Sequence, residues 1–277
     1  MSASGGLANA IDRAQQIGAE AIQIFASSPR AWAFRTPSEE NVVDFRLKAD
    51  EADVSPVFIH GSYLVNIGGT EDLVAKSVDL LAKNMAVASQ IGSAGVVFHG
   101  GSHGGAGFDA IFDQAVAAVR AVLAASAPDT DLILENSAGM GSHVGSSFGE
   151  MGRLIAAVDS PNMKVCLDTQ HCHAAGYSIA DPEGIDAAMA EFDAEIGLGR
   201  LAVVHANDSK IRFGSGVDRH ENIGEGDIGI AGFETIMGHA AFRDVPFILE
   251  VPGFDKKGPD KENVDRLKAV RATVEAT

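Results

Sequence analysis

Short apolar runs alternate with longer amphipathic segments along nearly the whole chain. Seven runs are rich in β-branched or other large apolar residues, and they lie at 21–26, 54–60, 94–100, 131–136, 164–169, 201–208 and 245–251. They are almost continuously apolar rather than alternating, which is typical of parallel strands that are covered on both faces. The pattern therefore predicts seven strands of a parallel sheet.

The segments between these runs space their apolar residues as an amphipathic helix does. We predict eight helices, at about 5–17, 38–52, 71–91, 107–125, 147–158, 181–197, 230–239 and 260–275. Strands that alternate with helices over 277 residues indicate an α/β fold, the (β/α)8 TIM barrel. Because seven strands accompany eight helices, we expect the barrel to lack its first strand at the N-terminus. No linker or change in composition divides the sequence, so a single domain over residues 1–277 is expected.

Six of the seven predicted strands carry a potential metal ligand at or near the carboxyl end. In a TIM barrel these ends gather at one face, where the active site lies. Charged side chains that converge in this way must be paired or must coordinate a metal. The six residues are His60, His99, Glu135, Asp168, His205 and Glu250.

Two further segments add candidate ligands. His171 follows Asp168 by three residues, and the segment VDRHENIGEGDIG, residues 217–229, contains Asp218 and His220 among three glycines. Alone, this segment is better explained as a polar surface loop in which the aspartate caps a turn. Considered with the strand ends, it is interpreted as a long flexible loop that brings ligands over the rim of the barrel.

The combined set of five imidazoles and four carboxylates suits zinc, with manganese as an alternative. Nine ligands exceed what one tetrahedral ion needs, and with one bridging carboxylate they fit three ions. Clusters of several metal ions serve phosphoester hydrolysis well.

Composition limits the partners and the location. The chain carries 38 acidic and 21 basic residues, a formal charge of −17, which argues against nucleic acid because phosphates attract Lys and Arg. Metal ions at the barrel mouth would reduce this objection.

No apolar run is long enough to span a bilayer, and the N-terminal residues lack the features of a secretory signal. Two cysteines, Cys166 and Cys172, exclude a disulfide scaffold. We expect a cytoplasmic monomer without a membrane partner.

Five segments together resemble the endonuclease IV family of DNA-repair enzymes. They are VVFHGGSH, LILENSAGMGSHVGSSFGE, VCLDTQHCHAAGYSI, VVHANDSKIRFGSGVDRHENIGEGDIG and FILEVPG. The resemblance runs from about Ala3 to the last helix, and all nine candidate ligands match the family pattern in order and spacing. It implies a zinc-dependent (β/α)8 barrel that cuts duplex DNA on the 5′ side of abasic sites, leaving a 3′-hydroxyl and a 5′-deoxyribose phosphate.

The resemblance also implies roles for individual residues. One zinc would be held by His60, His99 and Glu135; a second by the bridging, catalytic Glu135 with Asp168, His205 and Glu250; and a third by His171, Asp218 and His220. Arg30, Tyr63 and Leu64 would enter the DNA at the lesion, where an aromatic or apolar side chain fills the space of a missing nucleotide.

The chain departs from the family pattern at a few positions. Gln170 lies where a cysteine is usual, and Gly100 lies where a proline is usual. The main alternative is a sugar isomerase or epimerase of the xylose-isomerase-like barrels, which needs one metal and only Glu135, Asp168, His205 and Glu250. A third hypothesis is a catalytically inactive barrel that binds DNA or metal.

Overall fold

The chain is described by a computed structural model that covers residues 1–276, and these divide into two compact units. Unit 1 comprises Met1–Glu135, Ser142–Val144 and Arg153–Lys164. Unit 2 comprises Asn136–Gly141, Gly145–Gly152 and the chain from Val165 onward. Strands and helices alternate in both.

Unit 1 contains four parallel strands in the order β1-β2-β3-β4. Its elements in chain order are α1 (Asn9–Ile17), β1 (Ile22–Ile24), α2 (Glu39–Glu51), β2 (Val57–His60), α3 (Glu71–Ile91), β3 (Gly95–His99), α4 (Phe108–Ala124) and β4 (Asp131–Glu135). Helices α1 and α3 end at Gly18 and Gly92, which adopt the left-handed conformation that glycine favours at this position. In the register of β3 with β4, His99 lies opposite Glu135.

Unit 2 contains three parallel strands in the order β5-β6-β9 and a short antiparallel hairpin, β7 with β8. Helix α5 (Phe148–Val158) and strand β5 (Met163–Asp168) are each divided between the units. The remaining elements are α6 (Thr169–Ala175), α7 (Pro182–Glu195), β6 (Leu201–His205), β7 (Asp208–Ser209), β8 (His220–Glu221), α8 (Gly229–Gly238), β9 (Phe247–Ile248) and α9 (Lys261–Glu275). Asp168 and His205 are neighbours in register on β5 and β6.

The strands are buried as the apolar runs predict. Ile59, Val96 and Ile133 are fully buried in unit 1, and Val165 and Val203 are fully buried in unit 2. Continuous burial along each strand requires cover on both faces, which the amphipathic helices provide. Within residues 1–276, none of the helices combines the length and apolarity needed to cross a membrane.

All seven predicted strands and all eight predicted helices are present, with ends that differ by a few residues. One helix was not predicted, and one prediction was wrong in detail. Helix α6 begins directly after Asp168, because the Asp168 carboxylate accepts a hydrogen bond from the His171 N–H and caps the helix. The segment expected to be a flexible loop contains strand β8, whose His220 pairs with Ser209 of β7.

Candidate metal centre

The structure places the predicted ligands at the carboxyl ends of the strands. His60, His99, Glu135, Asp168 and His205 are the last residues of β2, β3, β4, β5 and β6, and Glu250 follows β9 by two residues. A parallel ladder fixes the backbone of each strand-end residue through hydrogen bonds on the preceding residues. The first five side chains are therefore held by the strands themselves, whereas Glu250 lies just beyond its strand.

In unit 1, two imidazoles converge on one buried carboxylate. His60 Nε2 lies 3.2 Å from Glu135 Oε2, and His99 Nδ1 lies 3.6 Å from the same oxygen. Ligand atoms of all three residues lie within 4.8 Å of one another, a spacing that one metal ion can span. Glu135 is almost fully buried, and a carboxylate in this position requires a cationic partner.

In unit 2, a second group of candidate ligands lies around Asp168. Its ligand atom and those of His205 and Glu250 lie within 4.8 Å of one another. His205 Nδ1 is 3.2 Å from Glu250 Oε2 and 3.9 Å from Asp168 Oδ2. Asp168 and His205 are fully buried, so their position is set by the core of the unit.

The candidate ligands on helix α6 and in the segment after β7 also lie near Asp168. His220 Nε2 is 3.7 Å from Asp168 Oδ2 and 3.3 Å from Asp218 Oδ1, and His171 Nε2 is 3.4 Å from Asp218 Oδ2. Ligand atoms of Asp168, His171 and His220 also lie within 4.8 Å of one another. The sequence-predicted ligands of unit 2 are thus all brought together.

Backbone carbonyls determine which ring nitrogen of three histidines faces the carboxylates. His60 Nδ1 lies 2.7 Å from the Gly61 carbonyl, His171 Nδ1 lies 2.9 Å from the Asn136 carbonyl, and His220 Nδ1 lies 3.4 Å from the Glu250 carbonyl. A carbonyl oxygen only accepts, so these nitrogens donate, and in the neutral ring each Nε2 then carries the lone pair. This is how metal-binding histidines are usually oriented, and the mixed nitrogen and oxygen donors fit zinc.

Two asparagines that the sequence analysis did not select connect the ligands of unit 2. Asn207 donates from Nδ2 to Asp168 Oδ2 at 2.7 Å and accepts from the Glu250 N–H at 2.9 Å. Asn136 accepts from the Asp168 N–H at 2.6 Å, and its backbone carbonyl binds the His171 ring. Each asparagine follows a strand-end ligand within two residues, and that position is the only sequence signal that could have identified it.

Asp208, also missed, holds the segment that was expected to be flexible. Its fully buried carboxylate accepts hydrogen bonds from five backbone N–H groups, those of Ser209, Gly224, Gly226, Ile228 and Gly229. A Cβ atom at Gly226 would lie 2.5 Å from Asp208 Oδ1 and 2.4 Å from the Ser209 carbonyl oxygen. The glycine is therefore required by a close approach of backbone and carboxylate, and the turn is fixed instead of flexible.

The residues between the hairpin strands, 210–219, are called here the ligand loop because they carry Asp218. The loop is attached to α6 through the Gly214 N–H, which donates to the His173 carbonyl at 3.0 Å, and the Gly216 N–H, which donates to the Ala174 carbonyl at 2.9 Å. Its two ends are joined where the Lys210 N–H donates to the Arg219 carbonyl. Both attachments use backbone groups at the end of α6.

Cys172 lies among these residues but is a poor metal ligand. Burial, and to a lesser extent the nearby Asp168 carboxylate, raises the pKa of the Cys172 thiol well above its ordinary value. The neutral thiol accepts a hydrogen bond from Asn136 Nδ2 at 3.3 Å. Metal binding by cysteine requires the thiolate, so this sulfur packs as an apolar group.

The predicted DNA-contacting residues lie on two adjoining loops of unit 1. Arg30 is exposed after β1, and Tyr63 and Leu64 follow β2, with Tyr63 52% exposed. The Pro29 carbonyl accepts from the Tyr63 N–H at 3.0 Å and from Ser62 Oγ at 2.8 Å, so the two loops are hydrogen-bonded together. The Tyr63 ring stacks on the His99 ring with centroids 6.3 Å apart. An exposed aromatic ring is thus fixed directly against a candidate metal ligand.

Comparison with known proteins places the chain among TIM barrels. Residues 11–272 match the family described as the xylose isomerase-like TIM barrel. The sequence is 38% identical to the probable endonuclease 4 of Halothermothrix orenii over 97% of both chains. The crystal structure of endonuclease IV from Thermus thermophilus is 36% identical with a TM-score of 0.86, and the match covers 100% of this chain and 98% of that one.

A third neighbour is similar in fold alone. The crystal structure of a D-tagatose 3-epimerase-like protein has a TM-score of 0.78 but only 17% identity over 100% of this chain and 97% of that one. The predicted (β/α)8 TIM-barrel class and the resemblance to endonuclease IV are both confirmed.

Proposed function

The chain belongs to the endonuclease IV family within the xylose isomerase-like TIM barrels, and from that premise we propose that it is a zinc-dependent DNA-repair endonuclease. In this proposal it hydrolyses the phosphodiester bond on the 5′ side of abasic sites in duplex DNA and leaves a 3′-hydroxyl and a 5′-deoxyribose phosphate.

The observation that carries the proposal is the grouping of five imidazoles and four carboxylates. His60 and His99 contact Glu135 in unit 1, and the remaining five residues lie around Asp168 in unit 2. Such a donor set exceeds the needs of one ion, and phosphoester hydrolysis is the chemistry that makes most use of several.

We assign three zinc sites to these residues. By resemblance to the family, His60, His99 and Glu135 would hold the first; Glu135, Asp168, His205 and Glu250 would hold the second; and His171, Asp218 and His220 would hold the third. Zinc bound here would acidify a water molecule and offset negative charge on the reacting phosphate. The chain orients three of the imidazoles through the carbonyls of Gly61, Asn136 and Glu250, and the resemblance gives Glu135 a part in both of the first two sites.

The single-metal isomerase is the weaker hypothesis. It needs only Glu135, Asp168, His205 and Glu250, and it leaves no role for the other five residues. His60 and His99 are within 3.6 Å of Glu135, and His171 and His220 are within 3.4 Å of Asp218. Four imidazoles oriented on carboxylates are difficult to explain in an enzyme that does not use them.

Recognition of the lesion is assigned to Arg30, Tyr63 and Leu64. The hydrogen bonds from Ser62 and Tyr63 to the Pro29 carbonyl hold both loops in one arrangement, so the three side chains can act together. Tyr63 is the best placed, because its ring is half exposed and rests on His99. We further propose a monomer that acts in the cytoplasm, where its two buried cysteines would stay reduced.

The deciding experiment combines metal analysis with a cleavage assay. Purified protein is dialysed extensively, its zinc is measured per chain, and it is incubated with a duplex oligonucleotide that contains one abasic site. About three equivalents of zinc and a nick on the 5′ side of the site are expected, with an intact duplex of the same sequence uncut. One equivalent of manganese or magnesium, together with isomerisation of a keto-sugar, would replace the proposal with the isomerase hypothesis.

A further inference from the structure

Gln170 lies on α6, between Asp168 and His171 in sequence, but its side chain is hydrogen-bonded elsewhere. It is fully buried, and its Nε2 donates to the Val217 carbonyl at 3.0 Å and lies 3.4 Å from Ser209 Oγ. Val217 immediately precedes Asp218 in the ligand loop. The amide group therefore reaches from the helix that carries His171 to the peptide next to another ligand.

This contact differs from the other bonds between α6 and the ligand loop. Those at Gly214 and Gly216, four and two residues before Asp218, use backbone carbonyls at the end of the helix. The bond from Gln170 acts on the peptide group that leads directly into the Asp218 Cα. Its removal would change the position of Asp218 more than the loss of either backbone bond.

The carbonyl oxygen of the Gln170 amide does not make a contact of this kind. Among residues 1–276, Gln170 Oε1 is buried without a hydrogen-bond partner. Burial of an unsatisfied carbonyl oxygen is unfavourable, and an apolar side chain of similar size would avoid it. The stability of the core therefore does not explain a glutamine at this position, whereas the donor at Nε2 does.

We propose that Gln170 is a positioning residue that sets the distance between Asp218 and His171. Both Gln170 and His171 lie in the first turn of α6, so one rigid element places the His171 ring and, through the Val217 carbonyl, the Asp218 carboxylate. The observed separation is 3.4 Å from His171 Nε2 to Asp218 Oδ2. The inference rests on the proposed role of these two residues as ligands of one zinc ion.

Side-chain length makes the glutamine specific for this contact. A cysteine, which is usual at this position in the family pattern, ends two bonds closer to the backbone and cannot reach the Val217 carbonyl. The chain therefore uses an attachment that a cysteine at this position could not provide.

The test compares three variants with a matched control. Gln170→Leu keeps the volume and removes the donor, Gln170→Glu keeps the length and the acceptor, and Gln170→Cys restores the usual residue. The control is Gln114→Leu, because Gln114 Nε2 also donates to two backbone carbonyls, those of Ile67 at 3.1 Å and Gly69 at 2.9 Å, in a segment without metal ligands.

Zinc affinity is measured by competition with a chromogenic chelator, alongside kcat and KM on abasic duplex. We expect each Gln170 variant to release one of three zinc ions about 10-fold more readily, the lower end of the effect of an outer hydrogen bond on metal affinity. kcat should fall while KM stays within about twofold, and the control should bind zinc as the parent does. A purely structural role would instead lower the melting temperature of the metal-free protein without selecting one ion.

Two results would overturn the inference. One is a parent protein with three zinc ions and Gln170 variants that retain all three with unchanged affinity. The other is an equal loss of all zinc ions in the variants. A parent protein that never binds three equivalents would instead refute the proposed function, so the two failures are distinguishable. Should Gln170→Leu fail to fold, Gln170→Cys carries the same comparison.

Discussion

The buried carboxylate of Asp208 offers a sharp test of how the turn behind the ligand loop is held. We consider Asp208→Asn, which keeps the shape of the side chain and replaces one acceptor oxygen with a donor. In the native protein Oδ1 accepts from the N–H groups of Ser209 and Ile228, and Oδ2 accepts from those of Gly224 and Gly226. Whichever way the new amide turns, at least two backbone N–H groups lose their acceptor and face an NH2 group.

The magnitude follows from these two losses. A buried donor left without a partner costs about 1–3 kcal/mol, so the substitution should lower the free energy of unfolding by roughly 2–6 kcal/mol. For a protein of this size that corresponds to a fall in melting temperature of about 3–10 °C. The assay is thermal unfolding followed by circular dichroism at saturating zinc.

Asp181→Asn is the matched control. Asp181 caps α7 by accepting a single backbone bond, from the Gly184 N–H at 2.8 Å, and asparagine caps helices as well as aspartate does. The control should therefore melt close to the parent. If Asp208→Asn had the same melting temperature as the control, the five backbone hydrogen bonds would contribute little to stability. The role assigned to Asp208 in holding the turn would then be wrong.

Three further predictions concern the proposed activity. Glu135→Gln should fold normally but cleave abasic duplex at least about 100-fold more slowly, the upper end of losses at metal-orienting groups, because the shared carboxylate is lost; cleavage at the parental rate would contradict its assignment. Asn207→Leu removes the donor to Asp168 and the acceptor for the Glu250 N–H, so zinc affinity measured by chelator competition should fall about 10- to 100-fold. Tyr63→Ala and Leu64→Ala should reduce the preference for abasic over intact duplex in binding assays while zinc content stays the same; unchanged preference in both variants would exclude their insertion.

Much of the fold and of the ligand set was predictable because periodicity and sheet geometry act together. Continuous apolar runs identify buried parallel strands, and the last residue of a parallel strand lies at the edge where functional side chains gather. The positions of His60, His99, Glu135, Asp168 and His205 at the strand ends were predicted in this way, and their role as metal ligands stays a prediction. Family resemblance then supported His171, Asp218 and His220, which no strand end identifies.

The features that were missed depend on hydrogen bonds between residues distant in sequence. Asp208 contacts Gly224 and Gly226 across more than a dozen residues, and the sequence shows only an aspartate and several glycines. Glycines in a polar segment were interpreted as flexibility, but here they leave space for a carboxylate. The capping of α6 by Asp168 was a local signal and could have been found, because an aspartate before a helical turn is a common cap.

The turn around Asp208 also determines how this region tolerates mutation. Arg212 lies in the part of the ligand loop that is joined to α6 mainly by main-chain groups, so its side chain should be replaceable. Beyond His220 the situation is reversed, since Gly224 adopts a left-handed conformation and Gly226 has no room for a Cβ atom. Two neighbouring segments of similar polarity would therefore diverge at very different rates among related sequences, and the slower segment would be the one without any metal ligand.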